Sequence, residues 1–209
     1  MAHSDDPLAI PLWINGHAYL TMAEAFHDVV SPRSAAVLRR TPLCGARAAQ
    51  HAVAAARAAH ADWAARSAAE RSALLNALGD ALAGYGAHFA ALIAEESGNG
   101  VELANAEVAQ AVALLRGAPA AKAERSAEVV AIVANADKPP LAPLPLIVGA
   151  LQAGAVVIVT PNPQTPSALF ALAELSARCD FPNGVLSIVH GRDAAVDGLR
   201  TAGANVLRA

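Results

Sequence analysis

Three apolar runs in the second half of the sequence end in residues that could do chemistry. Asp137 and Lys138 follow VVAIVAN, Thr160 and Pro161 close AVVIVTP, and His190 stands before Gly191 at the end of VLSIVHG. The carboxyl end of a buried parallel strand is where doubly wound sheets place their ligands. His190 is the best placed of the seven histidines, although an ordinary strand-end residue is the favoured reading. Asp137 and Lys138 read first as an exposed loop pair. Cys179 is a nucleophile only with a base at hand, and Asp180 beside it would raise its pKa instead. Glu95 and Glu96, near a helix end, read as solvated. No catalytic, cofactor-binding or metal-binding residue is therefore assigned.

The common cradles are missing. No GxGxxG or GxxxxGK[ST] follows any strand, no HExxH pairs the histidines, and Cys44 and Cys179 form neither a CxxC nor a zinc spacing. The loop PNPQTP after AVVIVT holds three prolines, no lysine, no glycine and no acid. Whether that strand end is a working site or a remnant is the central question of the sequence.

The elements that would position these residues are legible from period and punctuation. The first forty residues read as short strands, with Asn15-Gly16 as a two-residue hairpin turn and a second turn around Ser31-Pro32. From about Ala46 the period becomes helical, with Ala49, Val53, Ala56 and His60 on one face. Ser67 and Glu70 form an S-x-x-E capping box before a long apolar-periodic run, and Gly98 is its stop. A third helix covers roughly Glu102–Arg116, and AAKAERSAE is a polar linker. Strands at 129–135, after Gly154, at 185–191 and at NVLRA then alternate with helices. This pattern predicts βαβ units and a parallel sheet covered by helices. Residues 141–160 carry no charge over nearly the length of a membrane span, yet Pro143, Pro145 and the change to β-branched residues after Gly154 favour a helix, a stop and a buried strand.

Composition narrows the function. The chain has 209 residues, 55% hydrophobic but only 4% aromatic, so its core is built from Ala, Val and Leu. A net charge of −3 leaves no electrostatic footprint for nucleic acid, and no basic run marks a membrane surface. An acidic N-terminus without an apolar h-region argues against a signal peptide. The expectation is a cytoplasmic protein with reduced thiols.

The ordered set of segments resembles the aldehyde dehydrogenase superfamily over nearly the whole chain. PLWINGHAYL is similar to that family's opening strand pair, and DVVSPRSAAVL to the segment that follows it. Trp63, Arg71 and Leu74 fit its helical stretch, and LIAEESGN its acidic helix end. Phe181, Pro182, Gly184, Val185, Val189 and Gly191 keep the element that closes the cofactor-domain core. The resemblance implies an α/β fold, with N-terminal helices packed on a truncated, doubly wound, Rossmann-like sheet. Residues 1–127 would form the strand pair and helical region, and 128–209 the partial Rossmann-like region.

The departures carry the functional expectation. The family's lysine, which holds the adenosine ribose of NAD(P), is Thr160 here, although Pro161 is kept. Its P-W-N-x-P element becomes Asn135-Ala136-Asp137-Lys138-Pro139. Asp137 would then stand where an asparagine donates to the oxyanion, and an ionised carboxylate repels that charge; losing such a donor costs about 3–4 kcal/mol. The interdomain oligomerisation hairpin is largely missing between the third helix and VVAIV. The sequence stops at NVLRA, before the FTGS-like turn and the cysteine–glutamate catalytic domain, and neither cysteine falls at the nucleophile position. Three readings follow. The first is a non-catalytic structural or regulatory subunit, a homodimer or part of a hetero-complex, with no cofactor expected. The second is a degenerate module that still holds NAD or NADP. The third is an enzyme component completed by a partner chain.

Overall fold

The computed structural model describes residues 7–117 and 127–209. The proposed missing hairpin falls partly on residues 118–126 and lies outside the described residues. The first elements are two hairpins. β1 (Leu12–Ile14) and β2 (His17–Tyr19) pair antiparallel, as do β3 (Phe26–Val30) and β4 (Val37–Pro42). Asn15 and Gly16 both take positive φ, 53° and 73°, which is the two-residue turn that Asn-Gly favours because its twist matches the strands.

Four helices follow: α1 (Ala46–Ala65), α2 (Ala68–Gly84), α3 (Gly86–Ser97) and α4 (Val101–Arg116). The capping box is present in both directions, Ser67 accepting from the Glu70 N–H and Glu70 from the Ser67 N–H. Gly98 closes α3 in the left-handed conformation, φ 74°. One expectation needs correction. The run from Ser67 to Gly98 is two helices, bent by 74° at Gly84-Tyr85-Gly86, where two glycines weaken the helix and Tyr85 caps one helix while opening the next.

The second half alternates as the pattern predicts: β5 (Val129–Val133), α5 (Leu144–Gln152), β6 (Val156–Thr160), α6 (Ser167–Ala177), β7 (Leu186–Ile188), α7 (Asp193–Thr201) and β8 (Asn205–Arg208). The apolar stretch 141–160 divides at Gly154, and no single described helix is long and apolar enough to cross a membrane. Gly154 has φ 87° and lets Ala155 N–H reach back to Ala150 O at 3.0 Å. That bond, with Gly154 N–H on Leu151 O, satisfies carbonyls that the end of α5 would otherwise leave orphaned.

β7, β6, β5 and β8 lie side by side in that order, all parallel, and β1–β2 extend the sheet antiparallel beyond β7. Numbered from β5, the parallel order is 3-2-1-4, the arrangement of the doubly wound fold. The direction of winding reverses between β5 and β8. β5 and β6 are buried along their whole length, as parallel strands covered on both faces must be. α1 and α7 pack together over the strands, while α5 and α6 pack with α2 and α3.

Two buried groups hold these layers in register. Trp63, at the end of α1, stacks on Phe181 at a centroid distance of 5.7 Å and donates its indole N–H to Leu151 O at 3.1 Å. Arg71, buried at the start of α2, donates to Gln152 O at the end of α5 and to Arg66 O in the turn between α1 and α2. Its planar fork serves two carbonyls at once, which a lysine would not reproduce.

Candidate functional site

The strand ends meet in one cleft of about 350 Å³ at the reversal of the sheet. It is lined by Ala134 and Asn135 after β5, Thr160 and Pro161 after β6, Arg192 after β7 and Arg208 of β8. This is the place where a doubly wound fold takes a ligand. The groups present there are poorly suited to one. Thr160 is 2% exposed, and its hydroxyl is sealed in the protein without a hydrogen-bond partner among the described residues. The Arg192 guanidinium lies 3.1 Å from His27 Nδ1. Asp137 and Lys138 are exposed in the loop after β5 and do not line the cleft. Asn135 bonds within its own loop, accepting the Asp137 N–H on its side chain at 3.2 Å.

The loop PNPQTP is committed to structure. Asn162 Oδ1 accepts the Gln164 N–H, forming an Asx turn. Gln164 donates to Val30 O at 2.8 Å and to Glu96 O at 3.1 Å, and Thr41 donates to Pro163 O at 2.7 Å. These bonds tie the loop to β3, β4 and the end of α3.

Glu96 is the second correction. Unlike Glu95, it is buried, with 1% exposure. Its carboxylate accepts both the backbone N–H and the hydroxyl of Ser167, at 3.0 and 2.5 Å, and Arg39 Nε lies 3.1 Å away. Pro166 at the N-cap of α6 offers no side-chain cap of its own, so a carboxylate from another helix fills that role. Burial raises the Glu96 pKa, while the Ser167 bonds and Arg39 pull it down. The acidic helix end in the sequence carried no sign that a distant helix start would come to it.

The remaining candidates are equally structural in their contacts. His190 is completely buried, with Nε2 3.1 Å from Pro11 O. Burial drops its pKa to about 4. Cys44 is buried, and desolvation lifts its thiol to about 11, against a lowering bond from Thr21. Cys179 is partly buried with Sγ 3.7 Å from Ala77 O, and burial followed by the Asp180 charge raises its pKa. Both cysteines are free. Among the described residues no three His, Cys, Asp or Glu side chains converge on a metal site. A larger groove, about 910 Å³, lies elsewhere, between β2, the start of α1 and the exposed residues Leu20 and Met22.

A 3-2-1-4 parallel sheet with a helical layer and an added N-terminal hairpin defines a doubly wound α/β protein of the dinucleotide-binding type. The family profile described as aldehyde dehydrogenase family matches residues 19–144 and 128–202, and the chain belongs to that family. It is 31% identical over 194 residues to malonate-semialdehyde dehydrogenase of Pseudomonas aeruginosa, covering 84% of this chain and 39% of the relative. It is 32% identical to N-succinylglutamate 5-semialdehyde dehydrogenase of Chromohalobacter salexigens, covering 91% of this chain and 41% of the relative. The lactaldehyde dehydrogenase structure from Escherichia coli superposes with a TM-score of 0.84 at 22% identity, over 97% of this chain and 52% of that one, a likeness of fold. The chain thus spans about half, or less, of the length of the relatives it matches.

The family implies a dinucleotide in the strand-end cleft, and the residues present do not fit it. Thr160 is short and its hydroxyl is sealed inside the protein, where the family's ribose contact is a long ammonium. No other side chain of the loop replaces it.

Proposed function

We propose that this chain is a non-catalytic member of the aldehyde dehydrogenase family, acting in the cytoplasm as a structural or regulatory subunit. The observation that carries this reading is Thr160, a sealed hydroxyl at the position of the ribose-holding lysine, in a loop whose polar groups are bound to β3, β4 and α3. Its partner is a second copy or another protein subunit. Two free thiols accord with a reducing compartment. A second reading, in which a partner chain completes an aldehyde-oxidising enzyme, draws its support from relatives about twice as long.

The contact we expect is the outer edge of β8. Among the described residues β8 pairs with β5 alone. Ala209 directs both its backbone groups at β5, bonding Val133 O and Asn135 N, so by alternation those of Val206 and Arg208 face the open side. An open edge beside the half-buried Val206 and Leu207 is a pairing site unless covered. A two-fold pairing of such edges closes on itself. Light scattering at micromolar concentration is expected to give a dimer or a larger complex. Val206→Pro, which removes an N–H from the open side, should release monomers. A stable wild-type monomer with no partner in a pull-down would remove the subunit reading.

A further inference from the structure

The β1–β2 hairpin joins the parallel sheet through a short seam. β1 and β7 share one register pair, Trp13 opposite Ile188. Side chains close the rest: Leu12 and Ile14 are buried, Trp13 meets Phe170 edge-on at 6.2 Å, and His190 Nε2 reaches Pro11 O at 3.1 Å. A carbonyl only accepts, so Nε2 carries the proton and Nδ1 is bare. That nitrogen is buried with no hydrogen-bond partner among the described residues, and the ring is 0% exposed. An imidazolium there would have two donors and one acceptor.

Among the described residues no charged side chain pairs with it. On the strand leading to α1, the Cys44 N–H donates to His190 O at 3.3 Å, and its thiol stays neutral. α6 presents Phe170 to the imidazole at 6.5 Å, and its Glu174 pairs with Arg178. Arg192, beyond Gly191, is turned to His27, while Asp193 and Arg192 line the strand-end cleft. Arg39 of β4 is held by Glu96 and Ser167. β1 itself, Leu12–Ile14, has no titratable side chain.

We propose that this seam is a pH-operated latch: protonation of His190 releases the β1–β2 hairpin from β7 while β5 and β6 stay folded. The sign follows from proton binding. Docked, His190 takes its proton only near pH 4; with the hairpin open it titrates in the ordinary histidine range near 6.5. The docked state is therefore fully favoured above about pH 6.5 and loses ground as pH falls toward 4. Between pH 7.5 and 5.5 the opening constant should rise about tenfold, the proton uptake of one such group. Release would bare the β7 edge for pairing with another strand.

Hydrogen exchange on the full chain tests this, with rates corrected for intrinsic pH dependence. Protection over residues 10–19 is expected to fall about tenfold from pH 7.5 to 5.5, with residues 129–133 and 156–160 unchanged. His17 in β2 and His51, which meets Tyr19 edge-on at 5.6 Å, are the other histidines at the hairpin. His190→Gln separates them, since its amide can still donate to Pro11 O but does not titrate, and it should abolish the pH dependence. Hairpin protection that is equal at both pH values overturns the latch. So does a fall shared with β5 and β6, or a fall that persists in H190Q; the wild-type comparison decides even if the variant folds poorly.

Discussion

Trp63→Ala is expected to destabilise the protein by about 3–5 kcal/mol, the usual cost of emptying a large buried aromatic site. Trp63 is fully buried and joins three elements at once. Its ring stacks on Phe181 ahead of β7, its N–H reaches Leu151 O at the end of α5, and its backbone closes α1. Against a typical total of about 5–15 kcal/mol, the loss is a large fraction. Trp63→Phe keeps most of the packing and loses the hydrogen bond, at about 1 kcal/mol. Urea unfolding of the three proteins measures both values. A loss under about 1 kcal/mol for the alanine variant would show that Trp63 does not hold the layers together.

The second large effect is an absence of turnover. Purified alone, the protein is expected to oxidise no aldehyde with NAD or NADP, including malonate semialdehyde. A thiol near pKa 11 is ionised in well under about one part in a thousand at neutral pH, so Cys44 offers almost no thiolate, and Cys179 is also raised by burial. Asp137 lies exposed in its loop and is an acceptor, so it cannot donate to an oxyanion. The assay follows reduced cofactor at 340 nm. Turnover that copurifies with the protein and survives Cys44→Ala with Cys179→Ala would sink the claim of incompetence.

The parts of this molecule legible in the sequence are those set by local rules. Asn15-Gly16, the Ser67–Glu70 box, the Gly98 stop and the change of texture at Gly154 each act within a few residues, and each stands where the sequence puts it. The parallel sheet was legible because alternating strands and helices admit few topologies; its 3-2-1-4 order came from the structure. The break at Gly84-Tyr85-Gly86 was hidden by an apolar period that continues through it. Glu96 was misread for a different reason. Its burial depends on Ser167, Arg39 and Gln164, three residues from distant segments, and helical period says nothing of such a meeting. At the strand-end cleft, the sequence named Thr160 as the departure. Only the structure adds that its hydroxyl is sealed and that the loop is bound down by Gln164 and Thr41.

Titration of the purified protein with NAD and with NADP by calorimetry tests the central claim most directly. The sealed Thr160 hydroxyl and the bound-down loop predict no saturable heat at micromolar protein. Thr160→Lys alone should recover little, because the rest of the loop stays bound to β3, β4 and α3. A micromolar dissociation constant for either nucleotide in the wild-type protein, weakened by Arg192→Ala or Arg208→Ala in the cleft, would contradict it and restore the strand ends as a working cofactor site.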